Sequence, residues 1–131
     1  KNIFKGRKIL IVEDNEINID IISDYLDDVE IKYDSVRNGL DAYNRIKQNH
    51  SYDCVLMDIK MPVMDGYEAT RKIRALDDDY VRKLPILAMT ANAFAEDVQK
   101  SKEAGMNDHI TKPVNLELFY SVIKKHMIGE E

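Results

Sequence analysis

The sequence predicts an α/β fold in which a five-stranded parallel sheet is covered by helices on both faces, that is, a doubly wound sheet. The first observation is that apolar runs alternate with stretches of helical spacing five times along the 131 residues. Consecutive strand–helix units favour a parallel sheet with crossover helices. The second observation is that the runs at 9–12 and 54–57 are apolar throughout, which is typical of strands buried on both faces.

The individual elements follow from the period of the apolar residues. The run at 31–36 is more polar than the others and suits an edge strand, whereas the polar stretch 77–84 is predicted to be a solvated loop. Pro85 suits the start of a strand, Gly105 follows the end of a helix, and Asn115 is a typical helix cap. In chain order, the predicted elements are strand 8–13, helix 15–28, strand 31–36, helix 39–48, strand 52–58, helix 66–76, strand 85–89, helix 95–104, strand 108–111 and helix 115–126.

The first helix contains four isoleucines, which predict the face that it turns to the sheet. At about 100° per residue, Ile17, Ile21, Ile22 and Tyr25 fall on one side and are expected to face the core. Ile19 falls well away from that side. The sequence therefore predicts that Ile19 is exposed.

Length and composition limit the classes of protein to consider. The 131 residues suit one domain, 1–131, with a core at about 7–127. No run of about 18 apolar residues is present to span a membrane, and the first residues lack the apolar stretch of a signal peptide. The net charge of −5 argues against nonspecific nucleic-acid binding. The single cysteine, Cys54, fits a small core residue in a reducing compartment, and the initial Lys suggests a piece of a longer chain.

Polar side chains follow four of the five predicted strands. Glu13 and Asp14 follow the first strand, Asp58 ends the third, Thr90 follows the fourth, and Lys112 follows the fifth. The carboxyl ends of parallel strands meet at one edge of a sheet, where ligands bind in such folds. A single polar residue at a strand end is common, but we expect these five to form one site.

The residue types at this edge indicate phosphoryl transfer. Two carboxylates about 4 Å apart repel by about 1 kcal/mol in water and by more at a partly desolvated site. A hard divalent cation such as Mg²⁺ removes this repulsion and prefers oxygen ligands. Asp58 lies at the tip of a buried strand, so it is the candidate nucleophile of a metal-assisted site in which a carboxylate accepts the phosphoryl group.

The motifs around these residues resemble the receiver domain of two-component response regulators over essentially the whole chain. The segments that carry the resemblance are ILIVEDN, VLMDIKMPVMDGYEATRKIR, PILAMTANA and DHITKPV. MPVMDGYEA followed by MTANA is most similar to the receiver of a hybrid sensor histidine kinase. The resemblance implies a flavodoxin-like sheet with strand order 2-1-3-4-5.

The resemblance also implies roles for the residues of the acidic edge. Asp58 is expected to be the phosphoacceptor. Asp14 is expected to bind Mg²⁺ directly, with Mn²⁺ as the alternative metal, and Glu13 largely through water. The main-chain carbonyl of Lys60 is expected to be a further metal ligand.

Two further residues correspond to the family's phosphoryl-binding groups. Thr90 is expected to hydrogen-bond the phosphoryl group and to move when it arrives. Lys112 is expected to pair with a phosphoryl oxygen, and the Lys112–Pro113 peptide to be cis. The chain departs from the family at His109, where Tyr or Phe often acts as a switch partner of the threonine. The usual aromatic switch is therefore in doubt.

The family resemblance implies partners and a cellular setting. The expected partners are a histidine kinase domain and a histidine phosphotransfer domain, with Ile19 as the candidate docking residue. We expect a monomer or weak dimer in the cytoplasm, without nucleic-acid or membrane contact by this domain. The domain is expected to catalyse only its own phosphorylation and dephosphorylation. The parent chain is expected to be a hybrid kinase, for which a membrane anchor is one option.

The motifs argue against two alternative functions and leave a third open. A phosphatase that forms a phosphoaspartate needs a second acid two residues after the nucleophile, where this chain has Lys60. A dinucleotide-binding domain needs a glycine-rich turn after the first strand, where this chain has EDNEIN. A stand-alone or output-linked response regulator remains open.

Overall fold

The computed structural model describes residues 3–91 and 94–128, which form five strands and six helices. In chain order they are β1 (Lys8–Val12), α1 (Glu16–Asp28), β2 (Lys32–Val36), α2 (Gly39–Gln48), β3 (Cys54–Asp58), α3 (Gly66–Arg74), α4 (Asp79–Lys83), β4 (Ile86–Thr90), α5 (Ala95–Ala104), β5 (Asp108–Thr111) and α6 (Leu116–Met127). None of the described helices has the length and hydropathy needed to cross a bilayer.

All five strands are parallel and lie in the order β2–β1–β3–β4–β5, which confirms the predicted sheet. The register pairs Val12 with Met57, and Asp58 with Met89. Thr90 in turn pairs with Thr111. The residues that follow the strands are therefore level with one another at the carboxyl edge.

Each face of the sheet carries its own apolar cluster. Side chains of a strand alternate between faces, so Leu10 and Met57 lie in one cluster, and Ile11 and Leu56 in the other. Helices α2, α3 and α4 cover the first face, and α1 and α6 cover the second. Each fully buried Ile or Leu side chain contributes about 1.5–3 kcal/mol. The double winding that the sequence predicts is thus confirmed.

Side-chain caps define where most of the helices begin. Asn15, Asn38, Asp65 and Asn115 each accept a hydrogen bond from the backbone N–H three residues later, which starts α1, α2, α3 and α6. Such a cap satisfies one of the backbone donors that the first turn leaves unpaired. Helix α5 begins after Phe94, whose side chain makes no such hydrogen bond.

The predicted orientation of α1 is wrong. Ile22 and Leu26 are its buried residues, whereas Ile17 is 70% exposed and Ile21 is 39% exposed. Ile19, which was expected to be exposed, is half-buried. Residues 19, 22 and 26 follow the i, i+3, i+7 spacing of a core-facing stripe, so the four isoleucines are compatible with two orientations. Packing against the sheet favours the orientation in which Leu26 is buried.

The polar stretch 77–84 also differs from its prediction, because it contains the short helix α4. The Asp78 side chain accepts a hydrogen bond from the backbone N–H of Val81 and caps this helix. Val81 is fully buried, and the Tyr80 hydroxyl donates to the carbonyl of Tyr52 at 2.6 Å. One buried apolar side chain and one hydrogen bond therefore anchor as a helix a segment whose charges indicate a loop.

Candidate functional site

A cleft of 560 Å³ opens at the carboxyl edge of the sheet. Its walls include all the acidic, hydroxyl and ammonium groups predicted to meet there, which are Glu13, Asp14, Asp58, Thr90 and Lys112. Each comes from the end of a strand or the residues just after it, so the parallel register places them together. The sequence-predicted convergence is present in the structure.

Three carboxylates form an acidic cluster in the cleft. Glu13, Asp14 and Asp58 each offer one carboxylate oxygen, and these oxygens lie within 4.8 Å of one another. Glu13 is 1% exposed and Asp58 is 6% exposed, whereas Asp14 is exposed. The backbone N–H of Asn15 donates to Glu13 Oε2 at 3.2 Å, which orients this buried carboxylate toward the cleft.

Lys112 joins the two buried carboxylates. Its Nζ lies 3.1 Å from Glu13 Oε1 and 3.1 Å from Asp58 Oδ1. Burial lowers the pKa of Lys112, but its contacts with Glu13 and Asp58 outweigh burial and raise that pKa above its usual value. Lys112 therefore remains an ammonium group. Its backbone N–H donates to the carbonyl of Thr90 at 2.8 Å, which ties the residue to β4.

The acidic cluster fits a hard divalent cation. Burial, followed by repulsion from Asp58, raises the pKa of Glu13 in spite of the nearby ammonium. Glu13 Oε1 is buried and, although close to Lys112, makes no hydrogen bond of ordinary geometry. Its cationic partner is the Lys112 ammonium at 3.1 Å, which is shared with Asp58. One ammonium therefore faces three carboxylates, and a cation bound by these oxygens would relieve the repulsion that remains.

The remaining predicted site residues fall into two groups. Lys60 lines the cleft, and the Lys112–Pro113 peptide is cis, as predicted. His109 does not line the cleft, because it lies on β5 in register with Ala88, where it borders a separate cavity of 220 Å³. The motif residues 92 and 93 lie outside the part of the chain that the structure describes.

Two charged residues of the cleft were not predicted from the sequence. Asp97 and Lys100 reach it from the first turns of α5. They lie three residues apart on the helix that follows Thr90, and residues at this spacing share one helix face. That spacing, on a helix that begins at the cleft, is the signal that could have identified them.

A second concave surface adjoins the cleft, and we call it the α1 groove. It has a volume of 380 Å³ and runs between α1 and the segment 112–114, with Asn18, Ile21 and Tyr25 among its walls. Asn18 and Lys112 line both the groove and the cleft. The two surfaces are therefore continuous.

Hydrogen bonds fix the walls of the α1 groove. The Tyr25 hydroxyl donates to the carbonyl of Val114 at 3.0 Å, and the Tyr120 hydroxyl donates to the carbonyl of Tyr25 at 2.6 Å. The Tyr25 and Phe119 rings pack with their centroids 5.5 Å apart. These contacts join α1, α6 and the segment between β5 and α6 into one rigid wall.

Comparison with known proteins identifies the class that this fold and cleft define. Residues 9–124 match the response regulator receiver domain family, and the chain belongs to that family.

Among its relatives is hybrid signal transduction histidine kinase L of Dictyostelium discoideum, with 43% identity over 91% of this chain. The sensor histidine kinase RcsC of Escherichia coli is 40% identical over 84% of this chain. The chain spans only 7% of the first relative's length and 11% of the second's. It therefore corresponds to a small part of each of these proteins.

Solved structures have the same fold. The receiver domain of sensor histidine kinase PA1611 from Pseudomonas aeruginosa, with a magnesium ion in its active-site cleft, is 38% identical. The match covers 95% of this chain and 99% of that one, with a TM-score of 0.85. The receiver domain of Saccharomyces cerevisiae Ssk1, solved with the histidine phosphotransfer protein Ypd1, is 32% identical. That match covers 96% of this chain and 92% of the other, with a TM-score of 0.85.

Proposed function

We propose that this domain accepts a phosphoryl group on Asp58 from a phosphohistidine of a partner protein and passes it along a phosphorelay. The observation that carries the proposal is the position of Asp58, a buried carboxylate between an acidic cluster and an ammonium group. A strand tip buried on both faces holds this nucleophile in place. The family assignment and the magnesium-containing relative support the same reaction.

The proposed step transfers phosphorus from nitrogen to oxygen. A carboxylate oxygen of Asp58 attacks the phosphorus, and a P–O bond forms as the P–N bond to the imidazole breaks. The electron pair of that bond stays on the ring nitrogen, so an imidazole protonated on its other nitrogen leaves as the neutral ring. The product is an aspartyl phosphate.

The surrounding residues would orient the reacting groups and balance the charge in this step. Asp14 and Asp58, the Lys60 main-chain carbonyl and, through water, Glu13 would hold Mg²⁺, and Mn²⁺ offers the same preference for oxygen. Such a cation supplies charge stabilisation for the transferring phosphoryl group. Lys112 would move its ammonium to a phosphoryl oxygen.

The remaining predicted residues would act after transfer. The Thr90 hydroxyl would donate to a phosphoryl oxygen. Any switching that follows would use His109 in place of the family's aromatic residue. We expect it to be small, because His109 lies outside the cleft.

The α1 groove suits a partner that presents a histidine to Asp58. Ile21 lines the α1 groove, and Ile17 lies one helical turn before it on α1. Both are exposed, so they replace Ile19, which is half-buried, as candidate docking residues. A histidine kinase domain and a histidine phosphotransfer domain are the proposed partners, and the Ypd1 complex of a relative supports the second.

The wider setting is likewise a proposal. The chain would be the single receiver domain of a hybrid histidine kinase, monomeric or weakly dimeric and cytoplasmic, without nucleic-acid or membrane contact of its own. The relatives are themselves histidine kinases, which favours this origin over a stand-alone regulator.

The mass of the intact protein tests the phosphoacceptor assignment. Treatment with acetyl phosphate and Mg²⁺ should add one phosphoryl group, and excess chelator should prevent the gain. Asp58→Asn should abolish it, whereas Asp77→Asn, an exposed residue outside the cleft, should not. An equal gain in Asp58→Asn would refute the assignment.

Lys112→Ala separates the role of the ammonium group from that of the metal. This variant should still bind Mg²⁺, because the three carboxylates remain. Its phosphorylation by acetyl phosphate should fall at least about tenfold, since a charge at the reacting group is commonly worth that much. A rate equal to that of the unmodified domain would remove Lys112 from the proposed chemistry.

A further inference from the structure

Arg37 places a positively charged side chain at the carboxyl edge of the sheet, after the strand that contributes none of the five predicted site residues. It follows β2 directly, as Glu13 follows β1. Its Nη1 donates to the main-chain carbonyl of Asp14 at 3.3 Å, and its Nη2 lies 3.0 Å from Glu16 Oε1. The guanidinium thus spans two acceptors on either side of the helix cap Asn15.

The turn between β1 and α1 is held by the end of β2 at two positions. The backbone N–H of Glu13 donates to the carbonyl of Val36 at 3.0 Å. Arg37, the next residue of the same strand end, holds the carbonyl of Asp14. Glu13 is therefore held by three contacts, which are its backbone hydrogen bond to Val36, the hydrogen bond from the Asn15 backbone and the ion pair with Lys112. The direction of the exposed Asp14 side chain depends instead on the orientation of its own peptide group.

We propose that Arg37 is a positioning residue that holds Asp14 ready for the metal. The inference rests on the proposed function, because it assigns Asp14 to metal binding. An exposed ion pair such as that of Arg37 with Glu16 contributes little by itself. What matters is that a planar guanidinium reaches two acceptors at once, so it fixes the peptide that carries the Asp14 side chain.

The direction of the change in Mg²⁺ affinity distinguishes a positioning role of Arg37 from a purely electrostatic one. Removing a positive charge near a cation site strengthens cation binding, because repulsion is lost. Releasing the Asp14 peptide weakens binding, because a ligand must then be ordered when the metal enters. The proposal predicts the second result, although Arg37 is itself a cation.

The test is a Mg²⁺ titration of the intact domain followed by NMR. Arg37→Ala should raise the Mg²⁺ Kd by about tenfold, the lower limit for loss of a group that orients a metal ligand. Arg37→Lys restores the charge but not the two-acceptor geometry, so it should recover only part of the affinity. The melting temperature of each variant should stay close to that of the unmodified domain, since Arg37 is 53% exposed.

Arg82→Ala is the matched control. Arg82 is 51% exposed and also lies between acidic groups, Asp77 and Asp79, but it belongs to α4, next to the amino end of β4. Its removal changes the net charge equally and should not raise the Kd.

Four outcomes would overturn the proposal. They are an unchanged or lower Kd in Arg37→Ala, an equal rise in Arg82→Ala, full recovery in Arg37→Lys, and a large fall in melting temperature. Failure of the unmodified domain to bind Mg²⁺ would instead refute the metal site of the proposed function, and this inference with it.

Discussion

At the scale of single residues, the site depends on charges that are buried only because they are paired. Asp58 and Glu13 are both buried, and Lys112 lies 3.1 Å from an oxygen of each. An isolated buried carboxylate would be far more costly. Burial, and then repulsion from Asp58, raise the pKa of Glu13, and three carboxylates beside one ammonium leave negative charge in excess. The excess is what a cation would neutralise.

A second paired carboxylate, away from the cleft, predicts a pH dependence of stability. Although burial opposes it, the hydrogen bond from His126 at 2.8 Å holds the pKa of Asp108 below its ordinary value of 3.8. A pKa that is lower in the folded state stabilises the fold at pH values above the pKa of the unfolded state. This stabilisation is lost as the pH falls through the pKa of the folded state. Asp108→Asn should therefore lower the unfolding free energy at pH 6 by about 1 kcal/mol. Denaturant curves at pH 6 and below pH 3 measure this difference, which should vanish at the lower pH; a constant difference would contradict it.

Val63 predicts a substitution that stabilises the domain. Its φ is 69°, its side chain is 76% exposed, and the backbone N–H of Met64 donates to the carbonyl of Pro62 across it. A β-branched residue at positive φ is strained by about 1–2 kcal/mol, whereas glycine is not. After the entropy cost of glycine, Val63→Gly should raise the unfolding free energy by about 0.5–1 kcal/mol. Urea denaturation measures this, and a loss of stability would show that Val63 is not strained.

At the scale of elements, α5 is anchored at one end. Ser101, Ala104 and the following Met106 are buried, and Arg74 donates to the carbonyl of Gly105 at 2.9 Å. At the other end Phe94 is 65% exposed and supplies no cap. The side chain of Ala95, in the first turn of this helix, lies outside the part of the chain that the structure describes. The weakly held end is the one that reaches the cleft.

Hydrogen exchange should reveal this asymmetry. The amides in the first turns of α5 should exchange faster than those of α1, because Phe94 is exposed and supplies no cap, and the described buried residues lie at the other end of the helix. Phosphorylation of Asp58 should change exchange mainly in those turns, since Asp97 and Lys100 line the cleft. Mass spectrometry of peptides from both helices gives the comparison. Equal protection of α5 and α1, or a change confined to the Gly105 end, would contradict this description.

At the scale of the whole molecule, α1, which packs against α6, forms the stable side of the cleft, and α5 forms the weaker side. The aromatic contacts among Tyr25, Phe119 and Tyr120 join α1 to α6. A partner that docks on a rigid wall loses less conformational entropy than one that must order it. We therefore expect the partner histidine to approach over α1.

A substitution on α1 tests this approach. Ile17→Asp should slow phosphotransfer from a phosphorylated histidine protein by about tenfold, which corresponds to a lost contact of about 1.4 kcal/mol. Phosphorylation by acetyl phosphate should stay normal, because Ile17 is 70% exposed and lies outside the acidic cluster. Ile3→Asp, at an exposed isoleucine before β1, is the control. Equal rates for all three proteins, or parallel loss with both donors, would exclude docking at Ile17.

The sequence by itself determined the parallel sheet and its acidic edge, because apolar runs mark strands and parallel strands bring their carboxyl ends together. The strand order and the cis peptide at Pro113 were expected from the resemblance to the receiver family, and both are present in the structure. Only the tertiary structure decided the face of α1, the short helix α4 and the contact between Arg37 and Asp14. Four isoleucines allow two helical faces, and Arg37 is separated from Asp14 by a helix and a strand. Such choices depend on which surface the folded sheet offers, and helical periodicity contains no information about that surface.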